Sequence, residues 1–272
     1  MKHTFILIMV GGALLASGII GQSSDRPKVN DGMAHGDPPF LLEEGWTPLL
    51  NGQNLDGWKY RNPERGGWGT TSGVFWGGPD DPKSLKGISN PGDRILNTVT
   101  DFEPTPSDIY TAEKFGDVEL YVEFLVPAGS NSGVYVQGLY EVQIMDSFGS
   151  ETSSVTAICG SIYDYQRQVN NEYVGGVGPM ARAERPAGQW QSFHIWFQAP
   201  RFDAEGNKIS HAKFIRVLHN GVLIHENVER KAATRAAMKL EEAAVNPLML
   251  QGDHGPIAYR NIYIRPLRPI SR

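Results

Sequence analysis

With a single cysteine, Cys159, among 272 residues, the chain has no disulfide framework, so its stability must come from a hydrophobic core. In the run TAICGSIY that lone thiol reads as a small buried hydrophobe and not as a nucleophile. Basic runs are missing as well. The 25 Lys and Arg residues are scattered among 30 Asp and Glu for a net charge of -5, which leaves no cationic footprint for nucleic acid. No segment repeats at a period of about 20 to 50 residues, which disfavours propellers and solenoids. HExxH, GxSxG, a Walker loop and a GxGxxG after a strand are all absent, which argues against zinc hydrolase, serine hydrolase and nucleotide chemistry.

The one sustained apolar run comes first. Lys2 and His3 precede apolar residues 5–15, the small residues Ala16, Ser17 and Gly18 follow, and polar sequence starts at Gln22. That order predicts a signal peptide over 1–22, cleaved after Gly18 or Gly21, with an apolar core short for a membrane span. No cysteine stands near that point to carry a lipid. Residues 23–39, SSDRPKVNDGMAHGDPP, predict a linker, and order is expected from Phe40. Export to the periplasm or the medium, with no membrane span after signal removal, is the expectation.

From there on, short alternating runs are separated by some of the 31 glycines and 18 prolines, the pattern of an all-β sandwich or barrel. VELYVEF, SGVYVQG, YEVQIMD, WQSFHIWFQ, KFIRVLH, GVLIHENV, PLMLQGD and YRNIYIRPL are the clearest strands, and Asn220-Gly221 predicts a tight hairpin. One stretch departs from this. Residues 230–244, RKAATRAAMKLEEAA, are rich in helix formers and stop before Asn246-Pro247, which predicts a short surface helix.

Two of the strands carry chemistry-bearing residues. In YEVQIMD, Glu141 and Gln143 share a face by alternation, and Asp146 joins them only if a bulge interrupts the strand near Met145. If VELYVEF and SGVYVQG pair beside it, their polar faces add Glu119, Tyr121, Glu123, Tyr135 and Gln137 to one ledge. Aromatics, amides and acids mixed in this way suit a carbohydrate, which offers hydroxyls to polar groups and ring faces to aromatics. LMLQGDHG ends with Gln251 and the pair Asp253-His254, where a carboxylate beside an imidazole makes an oriented base or a metal ligand. Asn131, Ser132 and Gly133 form a donor-rich approach to the site strand, or a plain turn.

Five segments stand in order over about residues 44–267: GWTPLLNGQNLDGWK, GDVELYVEFLVPAGSNSGVYVQGLYEVQIMDS, GQWQSFHIWF, HNGVLIHENVE and LMLQGDHGPIAYRNIYIRPL. Together they resemble the 3-keto-disaccharide hydrolase family, also described as 3-keto-glucoside 1,2-lyases and 2-hydroxy-3-keto-glucal hydratases. The resemblance implies one concanavalin A-like jelly-roll sandwich over residues 40–270, a pocket containing YEVQIMD and QGDHG, and a 3-keto-glucoside or other oligosaccharide as substrate. In such a pocket Glu141 and His254 are the candidates for base and acid, in either order, with Gln143, Tyr135, Gln137, Asn131, Glu119 and Gln251 on the sugar. Asp146 and Asp253 would orient partners or hold one divalent metal ion, with no organic cofactor. The sequence departs from the family pattern in the longer stretch RNPERGGWGTTSGVFWGGPDDPKSLKG, which would reshape the pocket rim, and in residues 230–244. Two other readings stay open: a non-catalytic glycan-binding jelly roll, and a family 16 type hydrolase using Glu141-x-Gln143-x-x-Asp146 as its carboxylate strand.

Overall fold

The computed structural model describes residues 38–98, 106–169 and 172–268; the predicted signal peptide and most of the predicted linker lie outside them. Apart from single turns of helix at Pro39–Leu42 and Val155–Ala157, the regular elements are strands. Thirteen of these form two antiparallel sheets: β1 (Thr47–Pro48), β2 (Trp58–Tyr60), β3 (Gly69–Thr71), β4 (Arg94–Leu96), β5 (Ile109–Phe115), β6 (Val118–Leu125), β7 (Asn131–Val136), β8 (Tyr140–Met145), β9 (Gln191–Gln198), β10 (Ala212–His219), β11 (Val222–Arg230), β12 (Asn246–Leu250) and β13 (Ala258–Pro266). The larger sheet runs β11-β10-β9-β6-β13-β4-β3, with β1 also paired to β13; the smaller runs β8-β7-β12-β5-β2.

Alternation decides which residues meet between the sheets. Val118, Leu120, Val122 and Phe124 of β6 and Phe193, Ile195 and Phe197 of β9 point inward from the larger sheet. Val134 and Val136 of β7, with Tyr140, Val142 and Ile144 of β8, meet them from the smaller one in a single buried cluster. That is the expected β-sandwich of jelly-roll type. Asn220 and Gly221 both take positive φ, 50° and 79°, and close the predicted hairpin between β10 and β11. No helix among the described residues is long and apolar enough to cross a membrane.

Two expectations are corrected. VELYVEF does not pair beside the other two strands: it is β6 in the middle of the larger sheet, between β9 and β13, while β7 and β8 pair in the smaller one. The loop 126–130 carries the chain across the sandwich. Residues 230–244 form no helix. Arg230 closes β11, and the rest runs as an irregular strap whose backbone is used by neighbours: Thr234 N donates to Leu139 O (2.7 Å) and Met238 N to Gly138 O (3.0 Å). Those tertiary bonds outweigh the helix propensity of its alanines.

Candidate active site

With Val134, Val136, Val142, Ile144, Leu248 and Leu250 facing the core, the smaller sheet must turn Gly133, Tyr135, Glu141, Gln143 and Met249 outward. β7 and β8 pair in unbroken register, Glu141 opposite Tyr135 and Gln143 opposite Gly133, and Met249 of β12 lies on the other side of Tyr135. The next outward position on β12 is Gln251, whose N–H donates to Gly133 O at 3.0 Å. Gly133 is required here. A Cβ at that position would lie 2.9 Å from Tyr135 Cε2 and 3.0 Å from Glu141 Cδ, and closer still to Glu141 Oε1, so the carboxyl rests on the glycine.

An outward face is normally wet, yet Glu141 is 2% exposed and Gln143 and Tyr135 1% each. Two segments cover them. Residues 156–163 run along the free edge of β8: Gln143 N donates to Ser161 O (2.8 Å), Tyr163 N to Glu141 O (3.1 Å), and the Gln143 side-chain amide to Thr156 O (2.7 Å). The strap roofs the other side, where Thr234 Oγ1 accepts from Glu141 N (3.1 Å) and Arg235 bonds Asp164 (3.0 Å) and the Tyr163 hydroxyl (2.7 Å). Arg61, just beyond β2, fastens the strap from below. It donates to Ala236 O (3.3 Å), Ala237 O (3.0 Å) and Asp108 Oδ2 (3.0 Å).

Burial dominates the electrostatics. It pushes the Glu141 carboxyl up to about 8, against the hydrogen bond from Tyr135, so Glu141 is a neutral acid at pH 7. At the rim His254 bonds Asp253, and that bond raises the imidazole above its ordinary value against partial desolvation. Asp108 is raised by burial and feels the Asp253 charge, while its Oδ1 accepts from Gly252 N at 2.9 Å. His254 feels the charges of Asp108 and Glu141, and Glu141 feels that of His254. Glu141 Oε2 and the side-chain amide oxygens of Asn131, Gln143 and Gln251 are buried acceptors with no hydrogen-bond partner among the described residues. Leaving a buried acceptor unpaired costs about 1–3 kcal/mol, so each of these oxygens gains from any donor that reaches it.

Glu141, Gln143, Tyr135, Asn131, Gln251, Asp253 and His254 are therefore brought together. Three predicted site residues are not. Glu119 lies on the outer face of the larger sheet, bonded to His194 Nε2 and Arg265 Nε at 2.7 Å each, because β6 crossed the sandwich. Gln137 occupies the β7–β8 turn at φ 56°, where its amide binds Phe115 O and Ala244 O. Asp146 accepts from Gly129 N at 2.9 Å and closes the 126–130 loop, since the register of β8 contains no bulge to re-aim it. Among the described residues no three His, Cys, Asp or Glu side chains converge as a metal site. Asp146 is tied to the 126–130 loop and Asp253 to His254, so these two carboxylates do not form a shared donor set for a metal ion. Arg235, Asp164, Asp108 and Arg61 belong to the site but were missed. Only their clustering of charge beside predicted loops could have pointed to them.

Residues 45–265 match the family model described as the 3-keto-alpha-glucoside-1,2-lyase-like domain. Among solved structures, a candidate glycosyl hydrolase from Parabacteroides distasonis determined at 2.13 Å is 24% identical, with 82% of this chain and 84% of that one covered at a TM-score of 0.56. Another from the same organism, at 2.00 Å, is 22% identical over 82% of this chain and 100% of that one, with a TM-score of 0.51. At these identities the likeness is one of fold. No curated protein matches the chain.

Proposed function

The chain belongs to the 3-keto-alpha-glucoside-1,2-lyase-like family, and from that premise we propose that it is an exported carbohydrate-active enzyme that cleaves the glycosidic bond of 3-keto-glucosides by elimination and rehydration. A ketone at carbon 3 acidifies the hydrogen on carbon 2, because the resulting carbanion delocalises into an enediolate. A base removes that proton, the electron pair forms the carbon 1–carbon 2 double bond, and the bond from carbon 1 to the glycosidic oxygen breaks. The leaving oxygen takes a proton from an acid. Water then adds its oxygen to carbon 1 and a proton returns to carbon 2, for net hydrolysis.

The observation that carries this reading is the neutral, buried Glu141 set among unpartnered acceptors and within electrostatic reach of an imidazole of the opposite tendency. His254, oriented by Asp253, takes the carbon 2 proton. Glu141 gives its proton to the departing oxygen. Gln143, Gln251 and Asn131 accept from sugar hydroxyls, while the Arg235 guanidinium, anchored by Asp164 and Tyr163, supplies positive charge for the carbon 3 oxygen as its own charge grows. The family 16 type reading loses the second carboxylate of its Glu141-x-Gln143-x-x-Asp146 strand, because Asp146 is tied to Gly129 N of the 126–130 loop. The test is turnover of a 3-keto-glucoside against its unoxidised parent in deuterated water. Product labelled at carbon 2, no action on the parent, and loss of turnover in Glu141→Gln and His254→Ala are expected. Turnover that survives both substitutions, or release without label, overturns the reading, and binding without turnover would leave a glycan-binding module.

A further inference from the structure

Beside the Asp253–His254 pair the fold opens a cleft of about 360 Å³, whose lining includes Arg61, Arg65, Pro106, Asp108 and Asp253. Its two arginines come from the stretch that departs from the family pattern. The charges in it are unequally committed. Asp108 accepts from Gly252 N and Arg61, Arg61 is further held by the strap carbonyls, and Asp253 is bonded to His254. Arg65 is different. It is half-buried, its backbone N–H bonds Asn62 O (3.0 Å), and its guanidinium makes no hydrogen bond or ion pair with the described residues. A partly desolvated planar fork whose donors are not used by the described residues is matched by a carboxylate, which takes two parallel N–H bonds.

We infer that this cleft is the leaving-group subsite and that Arg65 selects a leaving group bearing a carboxylate, with Pro106 supplying an apolar wall. The inference rests on the proposed reaction only for what occupies the cleft; an anion subsite at Arg65 stands or falls independently. The matched probes are 4-hydroxybenzoate and 4-hydroxybenzamide, free and as their 3-keto-glucosides, against the full chain, Arg65→Gln and Arg65→Lys. Calorimetry should show the free acid binding about tenfold more tightly than the amide, and kcat/KM should favour the acid glucoside by a similar factor, mostly through KM. Arg65→Gln should erase both preferences and leave the amide unchanged, and Arg65→Lys should keep part of them. Equal binding of acid and amide, or a preference that survives Arg65→Gln, overturns the inference. If the acid binds through Arg65 but no 3-keto-glucoside turns over, the subsite stands and the proposed reaction falls.

Discussion

Replacing Glu141 with Gln should disable the enzyme and stabilise the protein above neutral pH, and the size of that gain follows from the structure. The carboxyl ionises at about 8 in the folded chain and at an ordinary 4.5 once unfolded. Folding therefore holds a proton that the unfolded chain releases between those values. Stability must fall as pH rises from 4.5 to about 8, and level off beyond. The slope is about 1.4 kcal/mol per pH unit and the total about 5 kcal/mol, with no discount for solvent screening at a side chain 2% exposed. Glutamine keeps the shape, cannot ionise and lacks this penalty. Urea unfolding of both proteins from pH 4 to 9.5 measures it: the difference curve should be flat below 4.5, rise in favour of Glu141→Gln towards 8, and flatten again. Two parallel curves would refute the claim that Glu141 is held neutral by burial, and the acid role would go with it.

Three further outcomes are expected. Gly133→Ala places a methyl group against Glu141 and Tyr135; it should cost about 1–3 kcal/mol by overpacking and reduce kcat/KM by at least a hundredfold on the order of magnitude that misplacing a reacting group brings, read from thermal unfolding and kinetics. Asp253→Asn removes the bond that raises His254, so the acid limb of the kcat/KM profile, which tracks the imidazole losing its proton, should move to lower pH while the alkaline limb set by Glu141 stays. Arg61→Gln frees the strap and removes the partner of a buried Asp108 that keeps its bond from Gly252 N, for a loss of about 1–3 kcal/mol and faster amide exchange confined first to residues 234–238.

Alternation along YEVQIMD and PLMLQGD was enough to place Glu141, Gln143 and Gln251 on one face, because in a strand of regular register the side chains have nowhere else to go. The same reasoning failed for Glu119. VELYVEF alternates just as cleanly, but periodicity assigns a face and not a sheet, and five loop residues suffice to carry a strand across a sandwich. Asp146 turned on whether the register slipped, a property of the pairing between β7 and β8 that neither strand carries alone. In residues 230–244 the alanines speak for a helix, while the bonds that prevent one are made to Leu139, Gly138 and Asp164, far away along the chain. Arg235 was hidden with them. The neutral state of Glu141 was equally out of reach of the sequence, since it arises from the roof over the sheet and not from any neighbour in YEVQIMD.

The two outer faces of the sandwich have been treated very differently. On the larger sheet every acid of β6 is matched, Glu119 to Arg265 and His194, Glu123 to Arg260 and Tyr121, and Phe40 stacks on Tyr263 above them. On the smaller sheet the acceptors are left open. One face thus serves as foundation and the other as workbench, and the two share only the core between them. Libraries randomised at Gln143, Met249 and Gln251 would alter what the protein holds without disturbing the ion pairs that lock the opposite sheet, which makes this a scaffold whose specificity is separable from its architecture.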